Sequence, residues 1–270
     1  MTSIRRIGTG ALLVGLVIGG SFWVHILAQA PPTRQLADTE SRPSAIDPQS
    51  ETLLKRMAAY LTALPSFTVR ATNTLQVMLV SGEKLDFEAV SDVSVRRPDR
   101  MRSHRAGVVG SADFFYDGKT VTVLDRATKF FTVNQAPPSI DSMLPILEDL
   151  LGVDVPGADL LYTDVYEGLM AEVTQAQHIA IEDVGGVRTH HLAFRGREVD
   201  WQIWIEDGER PLPRRYLITT KWMTGAPQFG IALNDWNVSP RLDDKTFIFE
   251  APPGARKIDV LKPAIPPIAR

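Results

Sequence analysis

Ser66-Phe-Thr-Val-Arg-Ala-Thr-Asn-Thr-Leu-Gln-Val-Met-Leu-Val80 decides the fold. Phe67, Val69, Ala71, Leu75, Val77 and Leu79 fall on every second position, with Thr68, Arg70, Thr72, Thr74 and Gln76 between them. Side chains on an extended chain point alternately to opposite faces, so this is a strand with one buried and one wet side, the mark of an antiparallel sheet. Ser81-Gly82-Glu83 turns the chain. A second strand then carries Leu85, Phe87, Ala89, Val93 and Val95 on one face and Asp86, Glu88 and Asp92 on the other.

The same two-residue period continues outward in both directions. Met101–Arg105, Phe114–Tyr116, Thr120–Leu124 and Phe130–Val133 read as a meander, with Asp117-Gly118 as a hairpin turn. After residue 172, strands are expected at His178–Glu182, Thr189–Phe194, Val199–Glu206, Arg214–Trp222, Ile231–Val238 and Thr246–Phe249. Three stretches change to helical spacing. Leu53, Leu54, Met57, Ala58 and Leu61 follow Pro48 and stop at Leu64-Pro65. Ile140, Met143, Leu144, Leu147 and Leu151 follow Pro137-Pro138-Ser139, with Pro145 making the start irregular. Leu160, Leu161, Val165, Tyr166 and Leu169 form a third segment, from Asp159 to about Met170. Two helices set between two β-meanders are expected to lie across one face of the sheet.

At the N-terminus, Arg5 and Arg6 precede an apolar run from Ile7 through Leu27, and Ala28-Gln29-Ala30 gives a small-x-small cleavage pattern. Residues 1–30 are read as a signal peptide, the glycines at 8, 10, 15, 19 and 20 weakening the alternative of a retained membrane anchor. Either way the rest of the chain is delivered outside the cytoplasm, to the periplasm. Residues 31–48, with four prolines and scattered charge, are a flexible linker. Residues 49–260 form the folded domain, and 261–270 a proline-rich tail.

Composition closes several routes. The sequence has no cysteine, which excludes disulfides, thiolate metal sites, thiol nucleophiles and lipobox processing, so an apolar core must hold the domain together. Removing residues 1–30 takes away Arg5 and Arg6 of the 29 Lys+Arg and none of the 32 Asp+Glu, leaving net −5, which argues against nucleic acid as a partner. No nucleotide loop, no Gly-x-Ser-x-Gly elbow and no His-Glu-x-x-His motif occurs, and no cofactor is expected. His190 and His191 point to opposite faces of one strand and cannot share a metal from there; His178 could approach one of them. Carboxylate pairs at Asp86/Glu88, Glu182/Asp183, Glu206/Asp207 and Asp243/Asp244 fall on wet faces or in turns.

The segment Asn234-Asp-Trp-Asn-Val-Ser-Pro-Arg-Leu-Asp-Asp-Lys-Thr-Phe-Ile-Phe-Glu-Ala-Pro-Pro-Gly-Ala-Arg-Lys-Ile258 resembles the ending of the DUF2092 family of predicted periplasmic proteins. Trp201-Gln-Ile-Trp-Ile-Glu206 with Pro211-Leu-Pro-Arg-Arg215, and Phe115-Tyr-Asp-Gly-Lys119, resemble its strand pair and hairpin. Similar endings occur in the LolA/LolB-like superfamily of envelope lipoprotein carriers. The resemblance implies an α+β fold: a strongly curved antiparallel sheet, an incomplete barrel, whose concave face is covered by helices and holds acyl chains in the carriers. By that resemblance the protein is expected to be a non-catalytic binding or carrier module for a lipid or acyl ligand. The alternatives are an envelope sensor or scaffold that binds a protein through the open face, and third a hydrolase. Strand parity and helix faces choose Phe67, Val69, Leu75, Val77, Phe87, Met143, Leu147, Trp201, Ile203 and Ile218 as residues of an apolar cavity.

Overall fold

The computed structural model describes residues 45–108, 110–151 and 156–259. The expected signal segment, most of the linker and the proline-rich tail lie outside them. Helix α1 spans Pro48–Ala63. Strands follow at Ser66–Met78 (β1), Lys84–Arg96 (β2), Arg100–Gly107 (β3), Ala112–Tyr116 (β4), Thr120–Asp125 (β5) and Phe130–Gln135 (β6). Helices α2 (Ile140–Leu151) and α3 (Val165–Met170) come next, with a 3-10 turn at Ala158–Leu160 between them. The second meander is β7 (Val173–Val184), β8 (Val187–Gly196), β9 (Val199–Glu206), β10 (Pro213–Thr220) and β11 (Gln228–Asn237), and Arg256–Lys257 form a short β12.

All twelve strands join one sheet in the order β12-β6-β5-β4-β3-β2-β1-β11-β10-β9-β8-β7. Every pairing is antiparallel except β12 with β6. The sheet is curved and open, so the expected α+β architecture holds. The two meanders meet where β1 pairs with β11. This order makes β6 and β7 lie ten strand positions apart, roughly 48 Å across a flat sheet at about 4.8 Å per strand. The connection carrying α2 and α3 must therefore cross nearly the whole sheet. It does so over one face, where curvature shortens the path and the apolar stripes of the helices find cover.

Local chemistry fixes each helix. Asp47 caps α1, accepting from the Gln49 and Ser50 amides, with Pro48 in the first turn, and Leu64 ends it before Pro65. Ser139 Oγ accepts from the Ser142 amide at 3.2 Å at the start of α2. Pro145 stays inside α2, early enough that the helix continues to Leu151. Below them lies one core: Leu54, Met57 and Leu61 of α1, Ile140, Met143, Leu144 and Leu147 of α2, and Val165 and Leu169 of α3 are buried on Phe67, Val69, Val95, Tyr116, Ile203 and Leu233 of the sheet.

Polar contacts stitch the covering layer together. The Asp141 carboxylate accepts from the Thr163 amide at 2.7 Å and its hydroxyl at 3.0 Å, the Thr62 hydroxyl donates to Thr163 O at 3.2 Å, and the Tyr166 hydroxyl donates to Glu51 at 2.9 Å. From the sheet, the Tyr116 hydroxyl donates to Pro137 O at 2.5 Å and Arg97 to Leu161 O at 2.8 Å. Burial pushes the Tyr116 hydroxyl up to about 12, so it stays a donor at any physiological pH.

Two expectations change. The strand expected at Thr246–Phe249 is a 3-10 turn over Asp244–Phe247, because Asp243 accepts from the Thr246 amide and folds the chain back. Phe247 is buried, and Phe249 packs against Phe115 and Phe131 at 5.5 and 4.9 Å. The third helical segment divides into the 3-10 turn at Ala158–Leu160 and the short α3.

The uncovered end of the sheet as candidate functional site

β1 and β2 pair without interruption over thirteen residues, so faces can be followed rung by rung. Phe67, Val69, Ala71, Asn73, Leu75 and Val77 share the helix-covered face with their partners Val95, Val93, Ser91, Ala89, Phe87 and Leu85. Leu75 is also opposite Phe229 of β11, which is opposite Ile218 of β10, which is opposite Trp201 of β9. A single row thus runs Phe87–Leu75–Phe229–Ile218–Trp201 across five strands.

Along this face burial changes sharply. Phe67, Val69 and Ala71 are buried, whereas Leu75, Val77, Leu85, Phe87, Phe229 and Ile218 are all only half-buried. Large apolar side chains are exposed at the adjoining hairpin tips: Val80 at 85%, Trp222 at 49% and Met223 at 42%. The tips meet, since a Cβ on Gly225 would clash with Met78 Cε. This is a continuous apolar surface at the end of the sheet beyond the helices, of the kind that soluble proteins reserve for a ligand or partner.

The ten cavity residues chosen from sequence therefore separate into two groups. Leu75, Val77, Phe87 and Ile218 lie together in the half-buried patch. Phe67, Val69, Met143, Leu147, Trp201 and Ile203 lie in the packed core, none more than 7% exposed. Trp201 borders both: it stacks on Phe194 at 3.8 Å, meets Tyr216 edge-on at 5.8 Å and is opposite Ile218. Sequence parity missed Leu85 and Phe229, although both carry the same two-residue signal as their neighbours.

The inner boundary of the patch is polar. Tyr216, next to Ile218 on the same face, donates its hydroxyl to Asp159 at 3.5 Å. Gly157 rests on β11 so closely that a Cβ would clash with Ile231 Cδ1, and its φ of +88° suits glycine. Burial raises the Asp159 carboxyl above its ordinary value, the bond from Tyr216 opposing the shift. An acid that holds its proton more tightly when folded contributes stability at low pH and loses it as pH rises above about 3.8. Asp159→Asn is accordingly expected to melt higher than the parent protein at pH 7, with the difference shrinking toward pH 4. Thermal melts at both pH values check this; a pH-independent difference would count against a buried acid.

The histidines form a second cluster. A bulge in β7 between His178 and Ala180 brings His178 Nε2 within 3.0 Å of His190 Nδ1, and His190 Nε2 lies 3.2 Å from Asp207. Burial and the neighbouring His190 lower the His178 pKa, leaving this imidazole neutral at pH 7. On the opposite face His191 stacks on Trp204 at 4.1 Å, and both contact Glu182 at 2.7 and 2.8 Å. The nearby hydroxyl, Ser50, is buried and commits its Oγ to Asp47 at 2.6 Å. Among the described residues no group of His, Asp and Glu is arranged to hold a metal ion. A shallow groove of about 400 Å³ also lies beside α1, lined by Ala58, Ala59, Thr62, Thr163 and Asp164.

A curved, open sheet roofed by helices on one side and left apolar at one end defines an α+β fold. The chain belongs to the DUF2092 family, described as predicted periplasmic proteins, whose sequence model matches residues 50–261. The expected periplasmic location agrees with that membership. No curated protein matches the chain. Among solved structures, it is similar to LprF from Mycobacterium bovis, with 14% identity, a TM-score of 0.45, and coverage of 78% of this chain and 99% of that one. An uncharacterized conserved protein from Thermus thermophilus gives 9% identity and a TM-score of 0.46, covering 78% and 99% of the two chains. A LolA superfamily protein from Nitrosomonas europaea gives 10% and 0.37, covering 74% and 97%. Likenesses at this level are of broad outline and say nothing about ligands.

Proposed function

We propose that this protein is a non-catalytic periplasmic binding or carrier protein that holds a lipid or acyl chain on the uncovered end of its curved sheet. The observation that supports this is the row Phe87–Leu75–Phe229–Ile218, half-buried and bordered by exposed Trp222 and Met223. Covering such a surface with an alkyl chain releases about 25 cal/mol per Å² of apolar area. An acyl ligand matches it because, apart from Asn73, the patch from Leu85 to Ile218 offers side chains without hydrogen-bonding groups.

The polar clusters elsewhere read as structural. His178–His190–Asp207 lies where residues 45–47 join β7, through Ala176 N to Ala45 O at 2.9 Å and Asp47 N to Ala176 O at 3.1 Å. It thereby fastens the start of the domain to an edge strand. A nucleophile next to these imidazoles, which hydrolysis would require, is not supplied by Ser50.

Purified mature protein should take up a fluorescent fatty acid with saturable emission, and native mass spectrometry should find a co-purified lipid in part of the population. A protein that is always ligand-free and takes up no such probe would defeat the proposal. A protein partner on the same surface is the second reading, favoured by the exposed Trp222 and Met223, residue types enriched at interfaces. Specific capture of one envelope protein, abolished by Trp222→Ala, together with no lipid uptake would decide for it.

A further inference from the structure

The two hairpins that carry the apolar patch project beyond the neighbouring strands. The last rung between β2 and β3 joins Ala89 to Gly107, so Lys84–Glu88 of β2 run on past β3 for about 16 Å at roughly 3.3 Å per residue. On the other side β10 and β11 close in the turn after Thr220, whose amide donates to Pro227 O at 3.1 Å. Leu79 N to Glu83 O at 2.8 Å and Ala226 N to Met223 O at 2.9 Å hold the two turns in shape, and they touch where Gly225 meets Met78. Residues alternating with the patch face away from it and pair with one another: Gln76 donates to Asp86 at 3.1 Å and Gln228 to Thr219 at 3.1 Å. The projection is therefore amphipathic, apolar at its tips and on the patch side, polar on the other.

Apolar tips belong to this end of the sheet. Val80, Trp222 and Met223 are exposed here, whereas the turns at the opposite end of the strands, after β2, β4, β7 and β9, expose no large apolar side chain among the described residues. Charge divides the same way. The turns after β1, β3, β5, β8 and β10 carry Arg126, Lys129, Arg197 and Lys221 against Glu83 and Glu198. Those at the other end carry Arg97, Lys119 and Arg210 against Asp99, Asp117, Asp207 and Glu209. Arg126 and Lys221 pair with Asp113 and Asp200, which leaves the tip end close to neutral on a mature chain of net −5. An anionic lipid surface repels such a chain as a whole and accepts it best by this end.

Resting on the lipid-binding reading, we infer that the two tips dock on a phospholipid bilayer, so that an acyl chain passes between membrane and patch without crossing water. Trp222 is a residue type that settles at the membrane interface, and Val80 and Met223 supply apolar area for the acyl boundary. Behind the tips, Val77 and Leu85 lead directly to Leu75 and Phe87, so apolar contact continues from the docked end into the patch. A bilayer suits two narrow projecting turns because it needs no matching shape, whereas a stable protein interface needs a broad complementary surface.

Flotation of the mature protein with vesicles of phosphatidylcholine, alone or mixed with phosphatidylglycerol, tests this. The wild type should float with both, more tightly with the mixture. Val80→Asp and Trp222→Asp should each weaken vesicle binding by about tenfold, as the loss of one apolar contact provides; both sites are exposed, and circular dichroism confirms that the variants are folded. Lipids brominated on their acyl chains should quench wild-type tryptophan emission. Trp222→Phe should recover most of the binding lost in Trp222→Asp, yet show no quenching. No flotation by a wild type that still takes up a fluorescent fatty acid from solution would overturn docking and leave lipid binding intact. Flotation unchanged in the Val80→Asp, Trp222→Asp double variant would overturn docking as well. Binding to native envelope membranes but not to protein-free vesicles would assign the tips to a membrane protein, and a solution dimer broken by Trp222→Asp would assign them to a second copy; either result overturns the inference. A protein that floats yet takes up no fatty acid would remove the lipid-binding reading and the exchange role with it, while docking itself stands.

Discussion

The double variant Phe87→Asp, Ile218→Asp is expected to fold like the wild type and to lose at least about a hundredfold of its affinity for a fluorescent fatty acid. The two residues stand on β2 and β10, with β1 and β11 between them, so the new charges do not oppose each other across a rung. Both positions are half-buried in the free protein, and each carboxylate can keep most of its hydration until a ligand arrives. An alkyl chain lying over them would have to strip that water, and leaving a polar or charged group unpaired in an apolar contact costs several kcal/mol. Two such penalties exceed the roughly 2.7 kcal/mol that a hundredfold represents. Titration with the fluorescent probe, alongside thermal melts followed by circular dichroism, separates binding from folding. Full binding by a folded double variant would place the ligand elsewhere.

The contrast between Phe87 and Phe67 also shows what the sequence could and could not convey. Both sit on the same face, both are large, and both alternate with polar neighbours in an unbroken hairpin. Parity assigns their direction, because the side-chain period of a strand is two. It carries no information about what lies above. That depends on α1, α2 and α3, whose helical spacing was plain in Leu53–Leu61 and Ile140–Leu151 but whose place over the sheet follows from β6 and β7 lying near opposite edges. Long-range strand order is not written in any local window, so the patch and the packed core look alike along the chain.

Smaller discrepancies have local causes of the same kind. Phe247-Ile248-Phe249 has the composition of a strand, yet the Asp243 cap and the burial of Phe247 bend it into a turn. His178 meets His190 because of a bulge, which moves a residue to the other side of the pleat without leaving a mark in composition.

Met143→Ala and Ile203→Ala should each cost about 2–5 kcal/mol of stability, the range for emptying a packed apolar site, whereas Val77→Ala in the patch should cost under about 1 kcal/mol. Met143 and Ile203 are both 0% exposed and belong to the one core cluster, from the helical cover and the sheet floor respectively. Truncating either removes buried methylenes and leaves a void that the surrounding strands and helices can only partly close. Val77 already borders water, so its loss exposes little and opens no enclosed space. Because the two core residues lie in one cluster, the double variant need not show the sum of the single costs. Denaturant melts of the three single variants, with fatty-acid titrations beside them, distinguish a packed core from a ligand chamber beneath the helices. If Met143→Ala instead leaves stability within about 1 kcal/mol and changes ligand affinity, the acyl chain runs under α2, and the uncovered patch is its entrance and not its seat.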